Sequence, residues 1–351
     1  MMPQPQTPPV STAGIAGIAE AWSWTVPGPE PLGSLAPRPL AAGITVAICT
    51  MSRPESIRLS LESILDQSRR PDQLVIVDAS SGDDTERVVR AAAPALSSSM
   101  PIVYARVERA RAGLTRQRNL ALALTERKLV AFFDDDVVLR CGCLEELERA
   151  HRDAGPGVVG VGGHVERLPA SPAAIWRLRR WLGVVGTLEP GRYCRSGMST
   201  PWSLGGRADG IIEGDWLPGY AMMWETALAR ELGFDEGLAG YAQSEDLEFS
   251  LRARRRGKLV LACAACVADA HALAGRPDAF RMGYMAIYNR FLVHRRLLAD
   301  RKRRDVALFA YAWTVDTLLL ARHLIVPSRF GDTLKQIAGR LRAGIDLAAG
   351  R

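Results

Sequence analysis

From residue 44 onward, short runs of β-branched and apolar residues alternate with longer amphipathic runs. The short runs predict strands at residues 44–50, 74–78, 102–107 and 129–133. The amphipathic runs predict helices at residues 54–67, 84–93 and 115–124, and Pro54 suits the first turn of the first helix. Strands that alternate with helices in this way predict an α/β fold with a mainly parallel sheet flanked by helices.

The pattern after residue 140 is less regular. A helix is predicted at residues 144–151 and a strand at residues 158–161. A long tract without a clean period follows at residues 162–214, and its middle, residues 172–182, has the pattern of a basic amphipathic helix. Because long loops inside compact domains are often functional, we expect substrate contacts in this tract.

The two ends of the chain differ from this central region. Residues 1–42 contain nine prolines and almost no charge, so a mostly disordered leader is predicted, in which residues 21–26 are a candidate for docking on the domain. Residues 43–298 are predicted to form the main domain, with a boundary between its halves at residue 140. Residues 299–351 are predicted to form a helical extension, and its pattern leaves open whether it packs on the domain, dimerises or touches a membrane.

Composition and charge narrow the class of protein. The 351 residues are 48% apolar and 24% charged, which is typical of a folded globular protein. The net charge of +7 favours anionic partners, and basic residues are concentrated at residues 252–258 and 295–304. The apolar run after the second cluster is shorter than the roughly 20 residues needed to span a bilayer. An amphipathic or core helix is therefore favoured there, with peripheral membrane contact as the alternative.

Location and the smaller motifs add three expectations. No basic region followed by a compact apolar segment opens the chain, so we expect a cytoplasmic protein, with the inner face of the plasma membrane as a peripheral site. The six cysteines are interpreted as structural thiols, because Cys141/Cys143 and Cys263/Cys266 match zinc-ligand spacing only weakly. The basic clusters lack a recognition motif, so no nucleic-acid partner is predicted.

Polar side chains follow three of the predicted strands. Thr50, Asp78 and the triplet Asp134-Asp135-Asp136 each stand where a strand ends. Because open α/β sheets bind ligands at the carboxyl ends of their strands, we expect these side chains at one rim. Three acids at a buried strand end repel each other without a cation, and their oxygens suit Mg²⁺ or Mn²⁺. The alternatives are a helix-capping turn at Asp78 and an acidic surface turn at the triplet.

A second group of acids, Glu245, Asp246 and Glu248, opens a predicted helix for which Ser244 is the candidate N-cap. The helix dipole keeps a carboxylate ionised there, while neighbouring carboxylates raise its proton affinity, so Asp246 is able to accept a proton. The alternative is an acid-capped helix with an ion pair between Glu248 and Arg252.

In their order and spacing, these features resemble the family 2 glycosyltransferases over residues 44–296. Six motifs carry the resemblance: Ile48-Cys49-Thr50-Met51-Ser52-Arg53-Pro54, Val77-Asp78-Ala79-Ser80-Ser81, Gly113 through Arg118-Asn119, the Asp triplet, Gly233-Phe234-Asp235 and Glu245-Asp246. The stretch at residues 216–224 contributes as well. Each motif is common in isolation, but six in this order argue against coincidence.

The resemblance implies a GT-A fold and an inverting transfer of sugar from a nucleoside-diphosphate sugar to a hydroxyl of a polysaccharide, lipid-linked or natural-product acceptor. Asp246 would be the base, and Asp136 and His271 would bind a divalent metal, Mg²⁺ or Mn²⁺. The implied donor-binding residues are Thr50, Arg53, Asp78, Arg111, Arg118, Asp134, Asp135, Gly219 and Glu245. Acceptor contacts are expected in the tract at residues 162–214.

Two rival functions remain at this point. A catalytically inactive sugar-nucleotide-binding scaffold would share the fold, but the intact triplet and the Glu245-Asp246 pair argue against lost turnover. A nucleotidyltransferase usually has a Gly-rich phosphate loop after its first strand, and residues 50–53 contain no Gly. Ala79 departs from the commonest family pattern, which bears on nucleotide preference.

Overall fold

A computed structural model of the protein describes residues 22–25, 39–109, 112–166, 173–204, 210–238, 241–269, 278–297 and 303–350. A ten-stranded sheet crosses this part of the chain, with helices on both faces and a helical C-terminal region. The leader was predicted to be mostly disordered. Of its residues 1–42, only 22–25 and 39–42 are among the described residues.

The first half of the sheet is parallel. Its strands are β1 (Trp22–Thr25), β2 (Ala41–Thr50), β3 (Gln73–Asp78), β4 (Ile102–Arg106) and β5 (Arg127–Asp134), in the spatial order β1-β4-β3-β2-β5. The connecting helices are α1 (Pro54–Leu65), α2 (Asp84–Ser97) and α3 (Leu114–Leu124). Alternate side chains of β2 enter different cores, with Ile44, Val46 and Ile48 in one and Ala47 in the other. The predicted alternation is therefore present, and β1 adds a piece of the leader to the edge of the sheet.

Antiparallel pairs enter only in the second half. Its elements are β6 (Val137–Leu139), α4 (Cys143–Asp153), β7 (Val158–Val165), α5 (Ala173–Trp181), β8 (Ile211–Gly214), β9 (Ala221–Glu225), α6 (Thr226–Leu232), α7 (Glu245–Ala253) and β10 (Lys258–Asp269). Strand β9 runs antiparallel between β5 and β7, and β10 pairs parallel with β7 but antiparallel with β6 and β8. Because β9 continues the sheet beside β5, the loop before β9 reaches the end of β5 that carries the acid triplet.

The C-terminal region consists of α8 (Ala279–Leu297), α9 (Arg303–Leu320), a 3₁₀ turn (Ala321–Ile325) and α10 (Pro327–Ala348). Helices α8 and α10 touch through their backbones. A Cβ atom at Gly283 would lie 2.1 Å from the carbonyl oxygen of Gln336, and one at Gly339 would lie 2.0 Å from that of Phe280. None of the described helices is both long enough and apolar enough to cross a membrane.

Candidate active site

A cleft of about 1200 Å³ opens at the carboxyl ends of β2 and β5. It is lined by residues from these strand ends, from the start of α3, from the loop and first turn of α7, and from α8. The predicted site residues that line it are Thr50, Arg53, Arg118, Asp134, Asp135, Asp136, Gly219, Glu245 and Asp246. Acids that lie far apart in the chain therefore meet in one cavity.

The three acids of the triplet have different surroundings. Asp135 is buried, and its Oδ2 accepts a hydrogen bond of 2.7 Å from the Thr50 hydroxyl while its Oδ1 accepts one of 2.8 Å from Arg53. The same guanidinium lies 3.4 Å from Oδ2 of Asp136. Asp135 thus ties the ends of β2 and β5 together, whereas Asp134 keeps 38% of its side chain exposed to the cleft.

Negative charge accumulates at this rim. Partial burial raises the pKa of Asp134, the charge of Arg118 acts against this rise, and the charges of Asp136 and Asp135 add to it. Burial also raises the pKa of Asp135, against the opposing effect of Arg53. The site therefore favours the binding of a proton or another cation.

The triplet fits a divalent cation only as part of a larger ligand set. Within the described ranges, no group of three or more His, Cys, Asp or Glu side chains is arranged to hold a metal ion, and His271 lies outside those ranges. Mg²⁺, however, is usually held by one or two carboxylates together with substrate phosphates and waters, and Mn²⁺ prefers the same oxygen ligands. The carboxylates of Asp134 and Asp136 fit an ion that binds together with an anionic substrate.

Arg118 joins the two groups of acids. Its side chain is 2% exposed, forms an ion pair with Glu245 and lies 3.3 Å from Oδ1 of Asp134. It also donates a hydrogen bond of 2.9 Å to the carbonyl oxygen of Gly219, and its guanidinium carbon lies 5.4 Å from the centre of the Phe234 ring. Arg118 thus holds the first turn of α7 against the end of β5.

Asp246 is the second residue of α7, and two backbone amides orient its carboxylate. The N–H of Gly219 donates to Oδ2 at 3.1 Å, and the N–H of Leu247 donates to Oδ1 at 2.7 Å. The charge of Asp246 helps to raise the pKa of Glu245, for which burial is the main cause, and it also contributes to the raised pKa of Asp134. Asp246 therefore lies within electrostatic range of the triplet, with lone pairs left for a further partner.

The backbone around the cleft is strained. In the described part of the chain, the non-glycine residues with a left-handed φ are Ser52 (58°), Ala242 (51°) and Ser244 (76°), and all three line the cleft or neighbour residues that do. Ser244 stands at the N-cap of α7, but the prediction that it caps this helix is wrong for its side chain, which makes no capping hydrogen bond. Strain of this kind is concentrated at functional sites, which supports a functional role for the cleft.

One predicted donor-binding residue, Asp78, does not line the cleft. Asp78 is fully buried, accepts hydrogen bonds from the Ser80 N–H at 2.7 Å and the Tyr104 hydroxyl at 2.6 Å, and does not line the cavity. Its carboxylate builds the turn after β3, as the alternative interpretation proposed. Arg111 lies outside the described residues. Donor binding by these two residues stays a prediction.

Sequence patterns missed one wall of the cleft, which α8 provides. Its lining residues are Phe280, Arg281, Tyr284, Met285 and Arg290. Aromatic residues recur along this helix at residues 280, 284 and 288, a helical spacing that is visible in the sequence. This spacing alone does not show that the helix packs beside the cleft. Gln117 of α3 was missed as well, and its Nε2 donates to the carbonyl oxygens of Thr50 and Val77 at 3.0 Å each.

The fold and the site define a class of protein. A parallel strand-helix half with an acid triplet at its rim, continued by a mixed half that carries a second acid pair, is the arrangement expected for the GT-A fold. Residues 45–182 match the family model described as glycosyl transferase family 2. Over these residues the chain has the sequence pattern of family 2, which confirms the family predicted from its motifs.

Solved structures with a similar fold include a mannosyltransferase, PcManGT from Pyrobaculum calidifontis in complex with GDP-Man and Mn²⁺. It has a TM-score of 0.54 and 16% sequence identity, and the match covers 89% of this chain and 90% of that one. S. aureus TarS 1-349 has a TM-score of 0.48 and 14% identity, with 88% and 92% of the two chains covered. A search of curated proteins gave no match. The likeness to the mannosyltransferase confirms the predicted α/β fold with its helical C-terminus.

Proposed function

We propose that this enzyme transfers a glycosyl group from a nucleoside-diphosphate sugar to a hydroxyl acceptor, with inversion at the anomeric carbon. The observation that carries the proposal is that Asp246 and the acid triplet line the same cleft. Arg118 connects them, because it contacts both Glu245 of α7 and Asp134 of the triplet. The triplet suits the diphosphate end of a donor through a cation, and a separate acid suits proton transfer.

The donor is proposed to lie along the rim formed by β2 and β5. Thr50, Arg53, Asp134 and Asp135 border this rim. Hydrogen bonds join Asp135 to Thr50 and Arg53, and Asp134 lies 3.3 Å from Arg118. Asp78 and Arg111 remain proposed contacts of the base and ribose. The mannosyltransferase of similar fold was solved with GDP-Man and Mn²⁺, which supports a nucleotide-sugar donor and a divalent ion here.

Asp136 is proposed to hold Mg²⁺ or Mn²⁺, with Asp134 beside it and His271 as a further ligand. The bound ion would neutralise the charge that the nucleoside diphosphate gains as the anomeric bond breaks. Arg53 contacts both Asp135 and Asp136 and so orients the rim carboxylates before any ligand binds.

Asp246 is proposed to take the proton from the acceptor hydroxyl. The Gly219 and Leu247 N–H groups hold its carboxylate in place, so that a lone pair is available without a change of rotamer. A Cβ atom at Gly219 would lie 3.0 Å from Oε1 of Glu245, so this close backbone approach suits glycine. The acceptor oxygen attacks opposite the departing diphosphate, which inverts the anomeric configuration.

Asp136→Ala tests the metal site. The variant is expected to lose the metal-dependent part of donor binding, by roughly 100-fold or more, since loss of a ligand should exceed the 10–100-fold effect of outer-shell residues. Calorimetry with UDP- and GDP-sugars, with and without Mn²⁺, measures this loss. Asp153→Ala removes an acid of α4 that is 44% exposed, and this control should bind like the wild type. Unchanged metal-dependent affinity in Asp136→Ala would contradict the assignment.

We also propose peripheral contact with the inner face of the plasma membrane, through one face of α10. Apolar side chains recur there at positions 330, 334, 337, 341 and 345, which places them in one stripe. Leu334, Leu341 and Ile345 of this stripe are 52%, 61% and 64% exposed. The opposite face, with Gly339 and Ala343, is buried against the neighbouring helices.

Charge favours a bilayer over a second copy of the chain on this stripe. Arg329, Lys335 and Arg342 of α10 are exposed beside it, and Arg322 is exposed just before the helix. Anionic headgroups complement this charge, whereas a second copy would bring the same positive charge to the contact. Because α10 touches α8, which lines the cleft, membrane contact would bring a lipid-linked acceptor close to Asp246.

The double variant Leu334→Gln/Leu341→Gln tests the stripe without a change of charge. The affinity for phosphatidylcholine vesicles containing phosphatidylglycerol, measured by sedimentation, should fall by more than tenfold, since burying a whole leucine side chain contributes about 1.5–3 kcal/mol and about half of each of these two is exposed. Ser328→Gln/Ala349→Gln changes exposed ends of the same helix and should bind like the wild type. Equal vesicle binding by both double variants would overturn the membrane assignment. So would light scattering that shows a dimer for the wild type and the control variant but a monomer for the leucine variant.

A further inference from the structure

Arg290 of α8 is a cleft cation that the proposed mechanism does not use. Its NH1 donates a hydrogen bond of 3.0 Å to the hydroxyl of Ser199, and both residues line the cleft. Its Nε is buried without a partner, and Arg290 forms no ion pair with any carboxylate of the described residues. A guanidinium removed from water is costly unless an anion compensates it.

Two other arginines of the cleft, Arg53 and Arg118, have acidic partners. Arg53 contacts Asp135 and Asp136, and Arg118 contacts Glu245 and Asp134. Arg290 is close enough to Asp246 for their charges to interact, yet the two form no ion pair, and burial lowers the pKa of the Arg290 guanidinium. This cation therefore stands beside the proposed base with its charge still available to a ligand.

Two further residues of the cleft carry buried polar atoms without partners. The indole nitrogen of Trp216 is an unused donor, and Oε1 of Gln243 is an unused acceptor. Neighbouring elements fix the positions of both residues. The side chain of Asn289 donates a hydrogen bond of 2.9 Å to the carbonyl oxygen of Gln243, and the ring of Trp202 lies 6.2 Å from that of Trp216. Buried polar groups are nearly always satisfied in folded proteins, so these unused groups are available to a polar ligand in the cleft.

We propose that Arg290, with Ser199, Trp216 and Gln243, forms an acceptor subsite that binds an anionic group, a phosphate or a carboxylate, next to the hydroxyl that Asp246 deprotonates. The proposal rests on the proposed function and names the chemical class of its acceptor. The guanidinium presents several N–H groups in a plane that matches the oxygens of either anion. Arg290 and Ser199 belong to α8 and to the tract at residues 162–214, whereas the triplet assigned to the donor lies at the end of β5.

Phenyl phosphate and benzoate are suitable probes, with benzyl alcohol as the uncharged comparison. Their affinities are measured by NMR titration, with the free enzyme and with the enzyme saturated by UDP or GDP. Arg290→Gln is expected to weaken binding of the anionic probes by about ten- to hundredfold, the range for a hydrogen bond to a charged group. Arg290→Lys should restore part of the affinity, because it keeps the charge and loses the planar donors. Arg281→Gln, a cleft residue with 76% side-chain exposure, should bind like the wild type.

Three results would overturn the subsite. The first is equal probe affinity in the wild type and a folded Arg290→Gln variant. The second is a loss of probe affinity in Arg281→Gln as large as that in Arg290→Gln, which would indicate only a diffuse positive field. The third is a matching loss of UDP and GDP affinity in Arg290→Gln, which would assign the guanidinium to the donor diphosphate. A failure of the proposed function would give a different result. The wild type would then bind neither UDP nor GDP, whereas the probe titration of the free enzyme would still measure the effect of Arg290 on anion binding.

Discussion

Replacing Asp246 by Asn is expected to lower turnover by about 10²–10⁴-fold, the usual contribution of a positioned general base. Asparagine keeps the size of the side chain, and its one oxygen can still accept the Gly219 N–H although the bond from the Leu247 N–H is lost, so the cleft should retain its shape. It cannot take a proton from the acceptor hydroxyl. The affinity for UDP or GDP with Mn²⁺ should therefore stay close to that of the wild type. Release of the nucleoside diphosphate in the presence of acceptor measures turnover, and calorimetry measures affinity.

Asp278→Asn is the matched control for this prediction. Asp278 also lines the cleft, but it is 59% exposed and stands at the start of α8. Its variant should turn over within about twofold of the wild type, since exposed substitutions away from reacting groups usually have small effects. Near-normal turnover by Asp246→Asn would remove Asp246 from the role of base.

Arg118→Met is expected to destabilise the fold by about 3–5 kcal/mol, as is typical when one partner of a buried ion pair is removed. Methionine retains most of the aliphatic stem, but it leaves Glu245 without its ion pair and Asp134 without the neighbouring positive charge. The carbonyl oxygen of Gly219 loses its donor as well. Urea denaturation followed by circular dichroism measures the change in the free energy of unfolding.

Arg116→Met provides the comparison on the same helix. Arg116 lies 3.5 Å from Glu236, and both side chains are 43% exposed, so its loss should cost between 0 and about 1 kcal/mol. Equal unfolding free energies for the two variants would show that the Arg118 network does not hold α7 against β5.

The parallel half of the fold was predictable because its signals are local. Apolar β-branched runs and amphipathic runs gave the positions of β2 to β5 and α1 to α3, and the carboxyl ends of parallel strands necessarily meet at one rim. This geometry brings Thr50 and the triplet together, which the structure confirms through the hydrogen bond between Thr50 and Asp135. The second half was harder to predict, because the antiparallel pairing of β9 with β5 depends on contacts between residues far apart in the chain.

Parts of the site depend on side-chain direction, which the pattern does not contain. Asp78 stands at a strand end, as predicted, yet its carboxylate turns inward to Ser80 and Tyr104. Ser244 precedes α7, as predicted, but its left-handed backbone leaves its side chain without a capping bond. Arg290 belongs to a helix with no local motif, and only the packing of α8 brings it to the cleft. The ion pair of Glu248 with Arg252, which belonged to the alternative interpretation of this helix, did form, because partners four residues apart meet on any helix.

The most direct test of the central claim is the thermal stability of the wild-type protein with a panel of UDP- and GDP-sugars, each with and without Mn²⁺. A ligand at 100 times its Kd stabilises the native state by about 2.7 kcal/mol, which corresponds to a rise in Tm of about 4 °C for a chain of this length. We expect at least one nucleotide sugar to give this rise with Mn²⁺ and a clearly smaller one without it. A Tm that no nucleotide sugar changes, with or without the metal, would contradict the assignment of the cleft to a metal-dependent glycosyl donor.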